Sequence, residues 1–211
     1  MTKTLILGAS GQIARHVVGM LAERDDAEMT LFLRNVQKLG RDVPANARII
    51  EGDVHNTTKL QEAMNGQDVV YANLSGDVDT QAKTIIAAMK ASGVRKLIFC
   101  TTLGIYDEVP GKFGEWNNLE IGEYFPPYRK AADLIEASDL DYAILRPAWL
   151  TDIDEVDYET TERNEPFKGT EIARKSVAAV VVDLIGAPGK LGNRNIGINK
   201  PGTDGEKPSF M

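Results

Sequence analysis

Residues Thr4–Glu23 read TLILGASGQIARHVVGMLAE. An apolar run enters a glycine-rich turn and leaves it as a helix pattern, with Ile13, Val17 and Leu21 at helical spacing. A buried strand passing through glycines straight into an amphipathic helix leaves few folds open. The helix must cover the strand it has just left. The next strand then lies parallel to the first, because a crossover of this length cannot make a tight hairpin.

The remainder repeats this alternation. Further strand patterns fall at 29–33, 48–51, 68–72, 96–100, 142–145 and 194–198, and they are short and apolar at successive positions. Helix patterns fall between them at 11–24, 57–64, 80–92, 127–138 and 170–185. The expected fold class is α/β: a Rossmann-type doubly wound parallel sheet of about seven strands, helices on both faces. One domain over residues 1–211 is expected, with a small C-terminal substrate region.

Two segments interrupt the rhythm. Residues 103–126 are rich in Gly, Pro and aromatics, and 148–170 in acids and Thr. Each follows a strand, so each leaves the carboxyl edge of the sheet, where open α/β sheets bind ligands. They read as the substrate side or as plain surface elaboration.

Gly8, Gly11 and Ala14 form G-x-x-G-x-x-A at the first strand–helix junction. Glycine lets the backbone turn sharply and approach a pyrophosphate. The helix start offers unpaired amides and a positive dipole end. The glycines alone are a weak signal; their place between a buried strand and an amphipathic helix makes a dinucleotide cradle the reading, with Ser10, Gln12 and Ile13 beside them. Valine at Gly8 or Gly11 is expected to abolish binding and leave the fold intact.

The second strand ends Leu33-Arg34-Asn35, without the acid that usually bonds the adenosine ribose of NAD. Arg34 suits the 2′-phosphate of NADP(H), which is the preferred cofactor, with NAD(H) as the secondary one. The other reading of Arg34 is a solvated loop charge.

The segments ILGASGQIA, FLRN, EGDVHN, ANLSG, CTTLGIY and DYAILRPAWL together resemble the atypical short-chain dehydrogenase/reductases. These are the NmrA-like NAD(P)-binding proteins and the flavin/biliverdin-IX-beta reductases. The resemblance implies that Asp53 and Val54 sit beside the adenine. It places Asn73, Leu74 and Ser75 along the adenosine ribose and pyrophosphate, and Thr101 and Thr102 near the nicotinamide ribose. Pro147, Ala148 and Trp149 would back the nicotinamide. Each also has a plain structural reading, as a cap, a turn former or a strand terminator.

The superfamily's usual Tyr-x-x-x-Lys pair is not in standard form. The family tyrosine falls near Tyr124 and its lysine near Tyr128, and Lys130 stands about 200° round a helix from Tyr128. Candidate catalytic residues are therefore Thr102, Tyr124 and Tyr128, with Tyr106 and Trp149 as pocket walls or core aromatics.

Two functions remain open. One is an NADP(H)-dependent oxidoreductase passing hydride to a small conjugated acceptor, such as a flavin, a quinone or a related carbonyl. The other is an NmrA-like regulator that binds NADP(H) without turnover. A sugar-nucleotide epimerase or dehydratase is a weaker third.

A net charge of -7 argues against a nucleic-acid partner. No apolar run nears the roughly 20 residues of a membrane span. One cysteine, Cys100, and two histidines give no metal pattern. The acidic run 152–165 reads as a solvated loop rather than a metal site. A cytoplasmic monomer or homodimer acting on a small molecule is expected.

Overall fold

The computed structural model describes residues 1–40, 43–187, 189 and 191–211. Its main sheet has eight strands: β1 (Thr2–Leu7), β2 (Ala27–Leu33), β3 (Ala47–Glu51), β4 (Val69–Ala72), β5 (Lys96–Cys100), β6 (Asp141–Pro147), β8 (Glu159–Thr161) and β10 (Arg194–Asn199). Their order is β3-β2-β1-β4-β5-β6-β10-β8, and every pairing is parallel except that of β8 with β10. The chain thus reverses direction across the sheet between β1 and β4, the switch point at which such sheets open a crevice for ligands. A separate parallel ribbon joins β7 (Trp149–Thr151) to β9 (Glu171–Ala173).

Alternating strand side chains build two apolar layers. Ile6, Leu31, Tyr71 and Ile98 face α1 (Gln12–Ala22) and α6 (Arg174–Gly186). Leu5, Leu7, Val70 and Phe99 face α2 (Thr57–Met64), α3 (Val78–Ser92) and α5 (Phe125–Glu136). Helix α1 presents Ile13, Ala14, Val17 and Leu21 as its buried stripe. Each large aliphatic group in it contributes about 1.5–3 kcal/mol by leaving water.

The interrupted segments carry more order than their composition announces. Residues 103–126 contain α4 (Gly111–Ile121), which starts directly after Pro110. Glycine and asparagine dilute its apolar periodicity, and its anchors are aromatic: Phe113 is buried and Trp116 packs at a tilt on Trp149, ring centres 4.7 Å apart. Residues 148–170 contain β7 and β8. The expected helix at 170–185 begins only at Arg174, because Glu171–Ala173 pair as β9 with 149–151.

The acidic run 152–165 disperses its charge instead of focusing it. Asp152 meets Arg174, Asp154 meets Lys175, Glu155 meets Lys200 and Glu162 meets Arg194. No helix among the described residues is long and apolar enough to cross a membrane.

Candidate functional site

The carboxyl ends of the parallel strands open into two depressions that share Asn73 and Leu74. The first, about 430 Å³, is walled by Gly8, Ser10, Gly11, Arg34, Asp53, Val54 and Ser75. The second, about 540 Å³, is walled by Ile13, Thr101, Thr102, Tyr128, Pro147, Ala148 and Trp149. Together they form one cleft from the end of β2, over the glycine turn, to the end of β6. A wider hollow of about 730 Å³ lies at the opposite edge, around Lys3, Ala27 and Ala47 where strands begin. Side chains of that edge converge on no helix start, so the chemistry belongs to the carboxyl side.

The glycine turn is built for close approach. Gly8 has φ +78°, and a Cβ there would strike the carbonyl oxygen of Asn73. A Cβ on Gly11 would run into the Asn73 side-chain amide. Gly11 N-caps α1 in extended backbone without any side-chain cap bond. The leading amides of α1, those of Gln12 and Ile13, therefore face the cleft without helical acceptors. A pyrophosphate fits such a cradle. The Gln12 side chain is exposed and lines neither depression, which leaves only its amide at the cradle. Gly8 is also required by the fold, because valine there meets backbone rather than a movable side chain. At Gly11 the nearest atom belongs to a side chain that can move, so the expectation that substitution spares the fold is kept for that position alone.

Arg34 is exposed at the end of β2 and has no ion-pair partner among the described residues. Lys38, on the 3₁₀ turn Val36–Leu39, joins it at the same depression. Asn35 caps that turn by accepting from the Gln37 amide at 2.9 Å. Arg15 donates to the Ser10 carbonyl at 3.2 Å and the Lys38 carbonyl at 2.6 Å, tying the glycine turn to the cationic turn. Asp53 accepts from the His55 amide at 2.9 Å, while Asn56 caps α2 by accepting from Lys59. The capping duty that the plain structural reading gave Asp53 thus falls to Asn56.

At the other end, the two threonines differ. Thr101 donates its hydroxyl to the Leu145 carbonyl at 3.0 Å and is buried. Thr102 is half-buried, and its hydroxyl makes no hydrogen bond among the described residues. Trp149 is oriented by its indole N–H, which donates to Asn117 at 2.8 Å.

Tyr128 lies in the cleft, and burial first, then the nearby Cys100 thiol, pushes its phenol above the ordinary range. The position four residues on is Ala132, which is buried. Lys130 pairs with Asp79 at 2.8 Å and so lowers that carboxyl, not a tyrosine. Tyr124 is not brought to the cleft. It is 55 % exposed ahead of α5, and its bond to Glu123 raises its phenol. Prolines 126 and 127 start α5 there and leave Tyr124 outside it.

Tyr106 also lies elsewhere, with Arg129 and Arg163 4.5 and 4.2 Å from its ring centre. Beside it Arg146 and Glu108 form a buried ion pair. Asn195 bridges this group, its carbonyl accepting from Arg146 at 2.9 Å and its amide donating to Tyr106 at 2.8 Å. Glu108 further accepts from the amides of Gly104 at 3.1 Å and Tyr106 at 2.9 Å, fixing the loop that carries Thr102.

Sequence reasoning missed several residues of the cleft. Lys38 stands four positions after Arg34, a spacing that could have flagged it. Arg174 and Phe210 reach the cleft from α6 and from segment 200–211, with no local signal at either place. Cys100 lines it too, its thiol pushed up to about 12 by burial, as befits a small buried hydrophobe.

Fold and cleft together define a Rossmann-type nucleotide-binding protein of the short-chain dehydrogenase/reductase kind. Residues 8–188 match a family described as NAD(P)H-binding, and the chain belongs to that family. A Rossmann-fold NAD(P)-binding family protein from Shigella flexneri is 55% identical, with 100% of both chains covered and a TM-score of 0.87. A short-chain dehydrogenase/reductase from Veillonella parvula DSM 2008, solved in complex with NADP, is 27% identical over 99% of each chain, TM-score 0.90. Among curated proteins, the uncharacterized sugar epimerase YhfK of Bacillus subtilis (strain 168) is 26% identical over 188 residues, covering 83% of this chain and 79% of its own length.

Proposed function

We propose that the protein is an NADP(H)-dependent reductase that passes hydride to a small conjugated acceptor: a flavin, a quinone or a related carbonyl. The observation that carries this reading is the unbroken cleft, cationic at Arg34 and Lys38, glycine-floored at its centre and aromatic at Tyr128 and Trp149. Arg34 and Lys38 favour the cofactor bearing a 2′-phosphate, since charge-assisted bonds to phosphate exceed neutral ones. The amides of Gln12 and Ile13 hold the pyrophosphate, and Thr101, Thr102, Pro147 and Ala148 bound the nicotinamide end. When bound, the cofactor supplies the hydride.

The absence of a tyrosine–lysine pair selects the acceptor. A simple ketone needs a proton delivered to its oxygen as hydride arrives. Tyr128 keeps its proton tightly and has Ala132 where the family lysine would stand, so it acts as a hydrogen-bond donor that orients the acceptor. The Thr102 hydroxyl does the same from the loop that follows β5. Conjugated acceptors spread the incoming charge and take their proton from water.

The test mixes protein and NADPH with flavins, quinones and aldehydes and follows the reduced-nicotinamide absorbance. Turnover with flavins or quinones and little with aldehydes is expected. Tight NADPH binding without oxidation of any acceptor favours a redox-responsive binding protein instead. No binding of either nucleotide refutes both.

A further inference from the structure

The cleft at the end of β6 has a wall that the fold does not need. Phe210 lines it opposite the strand ends, is 50 % exposed, and belongs to neither apolar layer. An aromatic ring half in water gains little from such a position. Yet the segment that brings it there is fastened with unusual care.

Glu171 of β9 is buried and spends both carboxylate oxygens on one residue. The Ser209 amide donates to Oε2 at 2.6 Å and the Ser209 hydroxyl to Oε1 at 2.9 Å. Bonds to an ionised acceptor are about twice as strong as neutral ones and tolerate little misalignment. The Glu171 carbonyl also accepts from Lys200 at 2.8 Å, at the other end of the segment. Thr170 and Thr203 are cross-bonded between, the Thr170 hydroxyl donating to the Thr203 carbonyl at 2.7 Å. Pro208 is buried beneath, while Phe210 emerges into the cleft.

We infer that Phe210 is a specificity-determining residue of the acceptor subsite, a stacking wall for flat aromatic or quinonoid rings, held in place by the Glu171–Ser209 clasp. This rests on the reductase reading for the presence of an acceptor. It goes beyond that reading in assigning which surface selects flatness. Tyr128 and Trp149 approach the cleft from α5 and β7, so a planar ring entering it meets aromatic groups from three elements. Ring stacking of this kind favours planar over aliphatic ligands without requiring any hydrogen bond. The clasp fixes the backbone beside Phe210 before the ligand arrives, so little freedom of the segment remains to be lost on binding.

Binding of riboflavin and of 1,4-naphthoquinone to the full chain, read by quenching of tryptophan emission with and without saturating NADP+, tests this. Phe210→Ala is expected to weaken both probes about tenfold, and Phe210→Tyr to restore them within about twofold. Neither variant should change NADP+ affinity. Equal probe binding by the wild type and Phe210→Ala overturns the proposal. So does a parallel loss of NADP+ affinity, which would make Phe210 a prop for the cofactor, or failure of both probes to bind the wild type. Should NADP+ fail to bind while the Phe210→Ala loss persists without it, the reductase reading falls and takes the acceptor role of Phe210 with it, leaving a ring-stacking wall alone.

Discussion

Replacing Glu108 with alanine tests the buried network behind the Thr102 loop. Arg146 is 0 % exposed and Glu108 5 %, so neither charge is solvated. Alanine leaves the guanidinium with the Asn195 carbonyl at 2.9 Å and the Glu162 main-chain carbonyl at 3.4 Å, both neutral. Removing one partner of such a pair costs about 3–5 kcal/mol, because the survivor keeps its desolvation penalty. Native stability is only on the order of 5–15 kcal/mol. The melting temperature should therefore fall by about 6–20 °C, at about 2–4 °C per kcal/mol in a chain of this size. Urea unfolding followed by circular dichroism is the assay, with the midpoint lowered and the slope unchanged. The paired change Glu108→Leu with Arg146→Met should recover part of the loss, since no charge of the pair remains buried while the Gly104 and Tyr106 amides still lack their acceptor. A loss below about 1 kcal/mol, or a pair worse than the sum of its singles, refutes the reasoning.

Three further outcomes follow from the site. Arg34→Asp should weaken NADPH about tenfold or more against NADH, by exchanging a charge-assisted bond for repulsion; an unchanged ratio in paired titrations removes Arg34 from the 2′-phosphate. Gly11→Val should abolish nucleotide binding and keep its melt near wild type, whereas Gly8→Val should lose both, because it strikes the Asn73 carbonyl at positive φ; equal melts for the two contradict this. Burial holds the Cys100 thiol up to about 12 and raises the buried Tyr71 phenol well above its ordinary range. The unfolded chain releases the Cys100 proton near pH 9 and the folded chain keeps it, so stability should fall as pH climbs from about 9 to 12. Cys100→Ala should flatten that alkaline limb in denaturation midpoints taken across pH.

The sequence announced what local pattern governs. Lys96–Cys100 and Thr57–Met64 appear with the expected bounds, because a buried strand and a capped helix advertise their own periods. The glycine turn was legible for the same reason, since Gly8 and Gly11 stand between two such patterns. Helix α4 was not, since its stability comes from Phe113 and Trp116 packing on distant elements rather than from a clean stripe. Nor was β8, whose Thr160 gains its strand partner only from Ile198. The same limit applies at the cleft. Arg34, Thr102 and Tyr128 sit near strand ends or helix starts and could be named from them. Arg15 bonds across 23 positions to Lys38, and Phe210 comes to the same cleft as Trp149 through the clasp at Glu171, placements that no linear spacing encodes. Tyr124 misled because the family motif spacing outweighed the helix pattern at 127–138, which already left this tyrosine ahead of the helix.

The reversed strand β8 has a consequence for how copies of this chain behave when crowded. It pairs only Glu159, Thr160 and Thr161 with β10, which gives that margin of the sheet a three-residue border flanked by acids. The opposite margin, β3, turns Arg48 and Glu51 toward water. Sheets fuse when a long, flat, apolar border offers its free amides to a neighbour, and charge or brevity at the border prevents the zipper. Both borders are short and carry charge, which makes each a poor template for adding a strand from a neighbouring copy.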